Sequence, residues 1–205
     1  MQIYQLPLGA LQTNCYIVPG ADSRAVVIDP ASVTEVEMFL NTHGLTLGTI
    51  IITHGHYDHF AGAAVLQEHS GAKILASAPD EPMYSSAEKC WADFMPVEFR
   101  GIKPDKLYSD GEEFTAEGLK FRVMAAPGHT AGSCLLFLDN DGEQVIFCGD
   151  VVFLMGVGRT DGYSGSTRDI AYNVKVPAGI PAYILSRRPD VRQSEYQLRA
   201  ANAEV

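Results

Sequence analysis

The stretch T-I-I-I-T-H-G-H-Y-D-H (residues 49–59) constrains the fold more than any other part of this chain. A short apolar run ends abruptly in His54, His56, Asp58 and His59. Six histidines occur in the whole sequence, so half of them fall within six consecutive positions. On a helix, His54 and His56 would point about 200° apart and could share nothing. On an extended segment leaving a strand they face the same way, while Asp58 and His59 swing round as a helix begins. Gly55 gives the backbone conformations closed to other residues. The small residues Ala61, Gly62, Ala63 and Ala64 let the following helix approach its neighbours closely. Strand, ligand-bearing loop and tightly seated helix are dictated together, and these residue types at this spacing are those of a metal site.

The flanking sequence supplies the rest of a layered domain. "QIYQLPL", "NCYIVPG" and "AVVID" read as short strands bounded by Gly, Pro, Asn and Asp. "SVTEVEMFLNTHG" places Val33, Val36 and Leu40 at helical spacing, with Ser32 as N-cap and Gly44 as the stop. "AGAAVLQEHSGA" predicts a helix ended by Gly71, and "KILAS" the next strand. Pro79 to Arg100 mixes proline, acidic and aromatic residues without a period, and is expected to form a short helix plus an excursion lining a pocket. Strands return at "KLYSDGEEF", "LKFRVMAAPGHT" and "SCLLFLDNDGEQVIFCGD", the last with a hairpin signal at Asp139–Asn140–Asp141–Gly142. Two strand-rich halves, each with helices, predict an α/β domain of two packed sheets with helices outside.

A metal centre needs ligands from elsewhere in the chain, and two other strand ends offer them. His129 follows the turn Pro127–Gly128 after an apolar run, and Asp150 closes "VIFCGD". Taken alone, either would be an ordinary loop residue. Three strand ends carrying suitable donors are a different case, because strand ends of a sandwich converge on one edge. His43 and His69, near predicted helix ends, read as surface or capping residues.

Composition narrows the remaining possibilities. At 205 residues, 46% hydrophobic and 20% charged, the chain suits one globular domain over residues 1–205. A net charge of −10 argues against a broad nucleic-acid-binding face. No apolar run is long enough for a membrane helix, and no basic segment precedes an apolar stretch at the N-terminus. A cytoplasmic protein acting on a small molecule, with neither nucleic acid nor membrane as partner, is expected. Cys15, Cys90, Cys134 and Cys148 form no C-x-x-C pair and read as reduced, packed residues.

Through T-H-G-H-Y-D-H, P-G-H-T and C-G-D, in that order, the chain resembles the metallo-β-lactamase superfamily over roughly residues 1–170. "GVGRTD" (residues 156–161) resembles the corresponding segment of its short glyoxalase II-like (hydroxyacylglutathione hydrolase-like) members. The resemblance implies an αββα four-layer sandwich of two mixed sheets with outer helices. It also implies that His54, His56 and His129 hold one Zn2+, that Asp58 and His59 contribute to a second, and that Asp150 bridges both. Iron or manganese would suit the same donors. Such a centre lowers the pKa of bound water from about 15.7 to near 7, so that hydroxide attacks a carbonyl at neutral pH. Asp58 would orient that nucleophile, and no serine or cysteine nucleophile is needed. The implied activity is a metal-dependent hydrolase of a small thioester such as an S-acylglutathione.

The sequence also departs from the family. Dinuclear members carry one more histidine late in the chain, whereas here the last is His129, which leaves the second site one ligand short. From about residue 172 to residue 205 the expected apolar strand and turn are missing, and Arg187, Arg188, Arg192 and Arg199 cluster in an otherwise acidic protein. A shifted reading frame near the end, or a divergent and partly disordered tail, would each account for this. The room for a glutathione-gripping helical region is also lacking. Other readings therefore stay open: a lactone or β-lactam hydrolase, a persulfide-type oxygenase, or a metal-binding remnant with impaired catalysis. Electron-transfer members carry Glu where this chain has His56, which disfavours a di-iron oxygen reductase.

Overall fold

A computed structural model of the chain describes residues 2–140, 143–153 and 156–169. The atypical tail, residues 172–205, lies outside the described residues.

Among the described residues, ten strands build two sheets. The first takes β1 (Tyr4–Leu8), β2 (Thr13–Pro19), β3 (Arg24–Ile28), β4 (Thr46–Ile52), β5 (Lys73–Ser77) and β6 (Lys106–Tyr108) in sequential order. β1, β2 and β3 pair antiparallel, and β3 to β6 pair parallel. Parallel neighbours need crossovers: α1 (Thr34–Thr42) supplies the one after β3, α2 (Tyr57–Phe60) with α3 (Ala63–Ser70) the one after β4, and the long excursion before β6 the third. The second sheet takes β7 (Glu113–Ala116), β8 (Leu119–Ala125), β9 (Cys134–Asn140) and β10 (Glu143–Phe147) in the order β10-β9-β8-β7, antiparallel throughout. Short connections leave these strands no other option. In the predicted hairpin Asn140 stands opposite Glu143, and residues 141 and 142 between them lie outside the described residues. A small ribbon of β11 (Val152–Phe153) and β12 (Gly156–Val157) follows.

β4 shows why the apolar run is unbroken rather than alternating. Ile50, Ile51 and Ile52 are all fully buried. Ile50 and Ile52 join the helix-side core with Val36, Leu40 and Leu66, while Ile51 joins the inter-sheet core with Phe121, Val123 and Leu136. A strand covered on both faces has no polar side to show, and each isoleucine stabilises the fold by about 1.5–3 kcal/mol.

α1 begins at Thr34, with Val33 at the cap position. Ser32 is not the cap: its hydroxyl turns to the carboxylate of Glu35. α3 ends as expected, with Gly71 at φ 71° donating its N–H to Gln67. Pro79–Arg100 contains no α-helix, only 3-10 turns at Ala78–Met83 and Ala92–Phe94, because Pro79, Pro82 and Pro96 withhold the N–H groups a helix requires. Residues 167–169 are helical, and those that follow lie outside the described residues.

Gly62 bears out the close approach expected of the small residues. Its N–H donates to the Pro30 carbonyl at 2.9 Å, and a Cβ there would meet the Ser32 carbonyl carbon at 2.9 Å. Gly62→Ala is expected to cost about 1–3 kcal/mol, since backbone must move to admit the methyl group. An unchanged thermal midpoint would show that the helix entry has slack.

Candidate metal centre

Parallel pairing puts the C-terminal ends of β3, β4 and β5 at one rim of the first sheet, together with the start of the antiparallel β2. That rim delivers Thr13, Asp29, the His54–His59 loop and Asp80. β8 and β10 both run antiparallel to β9, so their C-terminal ends share a rim of the second sheet and lead to His129 and Asp150. The inter-sheet core fixes the two rims side by side.

The expected convergence is present. His56 Nδ1 lies 3.1 Å from His54 Nε2 and 2.8 Å from His129 Nε2. His54, His56 and His129 form one buried triad whose donor atoms lie within 4.8 Å of one another, and His54, His59 and Asp150 form a second. Asp150 stands between them, with one oxygen 3.4 Å from His59 Nε2 and the other 3.7 Å from His129 Nε2. Asp58 belongs to neither triad. Its Oδ2 accepts the Thr13 hydroxyl at 2.7 Å and lies 3.5 Å from His59 Nε2.

Whether these residues fit a cation can be decided from their protons. The Thr53 hydroxyl donates to Asp29 Oδ2 at 2.7 Å, so it can only accept from His54 Nδ1–H at 3.2 Å. His129 Nδ1–H donates to the Arg159 carbonyl at 2.7 Å. Both rings therefore aim an unprotonated Nε2 at His56. One proton on His56 Nδ1 could satisfy only one of them. Three neutral imidazoles converging on lone pairs call for a positive ion at their centre. Burial, and then the repulsion that a proton on His129 or His59 would exert, push the His56 pKa down to about 3. Burial also lowers that of His129. For His59, burial opposes charging, but Asp58, Asp29 and Asp150 outweigh it and raise its pKa well above the ordinary value. That carboxylate excess likewise suits a cation, and the donor set of imidazoles and carboxylates fits zinc, iron or manganese.

The structure adds residues that the sequence did not single out. Asp29 is buried, accepts the Thr53 N–H and hydroxyl, and accepts His59 Nδ1–H at 2.9 Å. The strand-end signal "VVIDP" could have flagged it. Asp80 is fully buried and accepts from Gly55 N–H, Thr130 Oγ1 and Gly132 N–H at 2.6–2.7 Å. Nothing in "SAPDEP" announces that. Asp29→Asn is expected to weaken the second triad's hold on metal about 10–100-fold, because an amide nitrogen would confront His59 Nδ1–H. Chelator competition measures this, and a wild-type affinity would show that Asp29 does not orient the ring.

Cys15, Cys90 and Cys134 are buried, Cys148 is half-buried, and all are free thiols. Burial raises every thiol pKa, that of Cys148 to about 11, so none offers a thiolate at neutral pH. His43 and His69 stay outside the centre: His43 bonds the Phe39 carbonyl and His69 pairs with Glu37 on the surface. Above the triads opens a cleft of about 630 Å³ walled by Leu11, Trp91, Phe94, Met95 and Phe153, with Arg159 as its cation among the described lining residues. The Pro79–Arg100 excursion contributes Trp91, Phe94 and Met95 to that wall, so it lines the cleft as expected.

The family profile described as the Metallo-beta-lactamase superfamily matches residues 8–199. The chain belongs to this superfamily. Its curated relatives include hydroxyacylglutathione hydrolase GloC of Haemophilus influenzae, 32% identical over 164 residues, which cover 78% of this chain and 76% of that protein. Among solved structures, the BLEG-1 B3 metallo-beta-lactamase superposes with a TM-score of 0.78 at 26% identity, covering 86% and 85% of the two chains. TTHA1623, solved in a di-iron-bound form, gives 0.70 at 27% identity over 84% of each chain. The superfamily fold and a metal-dependent hydrolase follow for this chain. Among the described residues no helix is long and apolar enough to cross a membrane.

Proposed function

We propose that the protein hydrolyses small acyl thioesters, with His54, His56 and His129 holding one zinc ion and His59, Asp58 and Asp150 contributing to a second position. The observation that carries this reading is the convergence of three imidazoles whose outward nitrogens, at His54 and His129, are already committed to Thr53 and Arg159. A bound divalent ion supplies acidified water near neutral pH and a counter-charge for a developing oxyanion.

The chain's own residues do the rest. Asp58, fixed by Thr13 and partly open to the cleft, orients the attacking water and takes up its proton. Asp150, between His59 and His129, keeps the two positions in register. Leu11, Trp91 and Phe94 form an apolar wall for the acyl group, and Arg159 at its rim can meet a carboxylate on the thiol half. A thiolate leaves without needing a strong general acid, which suits a site whose second position lacks a late histidine. The relative named hydroxyacylglutathione hydrolase supports an S-acylglutathione as the substrate.

The test is a panel of acyl thioesters, a lactone and a β-lactam, run on metal-free protein with and without added Zn2+, Mn2+ or Fe2+. Metal-dependent turnover greatest for thioesters is expected. Preference for the lactam would transfer the assignment to the activity in the name of BLEG-1. Bound metal with no turnover of any ester, lactone or lactam would mark a remnant.

A further inference from the structure

We infer that Trp91 fixes the ring of His56, in place of the hydrogen bond that orients each other histidine of the centre, and that this single tryptophan reports metal occupancy. The inference rests on the metal reading above. His54, His59 and His129 each direct their outward Nδ1 to a partner, namely Thr53, Asp29 and the Arg159 carbonyl. His56 is the exception. Its Nε2 is the buried side-chain polar atom without a hydrogen-bond partner among the described residues. Instead its ring lies flat on the Trp91 indole, with centroids 4.5 Å apart and planes 10° from parallel.

The indole is itself held. The Arg159 guanidinium lies 4.7 Å over it and is clamped by both oxygens of Asp161 at 2.7 and 2.8 Å. At Gly162 a Cβ would sit 2.6 Å from Trp91 Cζ2, so glycine leaves the ring its space. Trp91 adopts φ 65°, a left-handed conformation that bulky residues avoid and keep only where the surroundings over-determine it. Arg159 thus serves two ligand rings, His129 through its carbonyl and His56 through the indole. Outer partners of ligand histidines govern metal affinity, and here a stacked ring replaces a polar one.

The sequence contains one tryptophan, so indole emission from the unlabelled full chain, excited beyond the tyrosine absorption band, comes from this position. Chelator-treated protein would be titrated with Co2+, an open-shell ion that quenches a nearby excited indole, with bound metal counted in parallel. Quenching that saturates with the first ion is expected. Trp91→Leu should weaken that ion's binding about 10–100-fold, Trp91→Phe should restore most of the loss, and Gly162→Ala should act like Trp91→Leu by displacing the ring. Circular dichroism of the metal-free variants separates lost positioning from lost fold. Wild-type affinity in Trp91→Leu, or a filled first site with unchanged emission, overturns the inference. Wild-type protein that takes up no metal removes the reading of the centre itself, and the count identifies that failure.

Discussion

His129→Ala is expected to lower hydrolytic turnover by about three orders of magnitude and to remove the tightly held ion. The residue is the second sheet's contribution to a triad otherwise drawn from one loop of the first. Without it, His54 Nε2 and His56 Nδ1 remain as a pair 3.1 Å apart, and Asp150 loses its imidazole neighbour at 3.7 Å. Two nitrogens from one loop hold a divalent ion far less firmly than three. A catalytic ion supplies several kcal/mol of transition-state stabilisation, and each 1.36 kcal/mol is tenfold in rate, which gives the magnitude. His43→Ala is the matched control, because that ring is exposed and stacks on Phe39 at 3.9 Å, outside the centre. Comparing kcat/KM and metal content of the two variants decides the point. A His129→Ala protein that kept its metal and a tenth of its turnover would show that the triad is not the working site.

The candidate ligands were legible in the sequence because chemistry forces such residues into recognisable company. His54, His56, Asp58 and His59 are neighbours in the chain, and His129 and Asp150 follow apolar runs that could only be strands. Their supports were not legible, since each acts across a gap that local pattern cannot span. Asp29 meets His59 thirty residues on, and Asp80 meets Gly132 fifty-two residues on. Trp91 read as part of an aperiodic stretch, and its meaning arises only when the excursion folds back onto His56. The strand signal over "KLYSDGEEF" conceals the crossing from one sheet to the other: β6 pairs with β5, the turn at residues 109–112 follows, and β7 pairs with β8. Alternation shows that a segment is a strand, whereas its sheet depends on what lies across from it. Ser32 shows the same limit at a helix end, where a nearby carboxylate outcompeted the backbone for its hydroxyl.

Asp80→Ala is expected to cost about 3–5 kcal/mol of stability and to loosen both ligand loops together. One carboxylate accepts three buried donors: Gly55 N–H from the first loop, and Thr130 Oγ1 and Gly132 N–H from the second. The approach is as close as glycine permits. A Cβ on Gly132 would lie 2.5 Å from Asp80 Cγ, and one on Gly55 would lie 3.0 Å from its Cβ. Burial raises the Asp80 pKa and the three donors oppose that rise, so the fold tolerates this acid for the sake of its acceptors. Alanine removes the acceptors and leaves the donors, and each unsatisfied buried donor costs about 1–3 kcal/mol. For a chain of this size the total corresponds to a fall in Tm of roughly 10 °C. Asp80→Asn, which keeps one acceptor oxygen, should fall between alanine and wild type. Denaturant unfolding of metal-free protein gives the global cost. Amide exchange at Gly55 and Gly132 shows whether the loops open in concert, as a shared brace requires. If Asp80→Ala melted within a degree or two of wild type, water would be replacing the carboxylate, and the distance between His56 and His129 would need another cause.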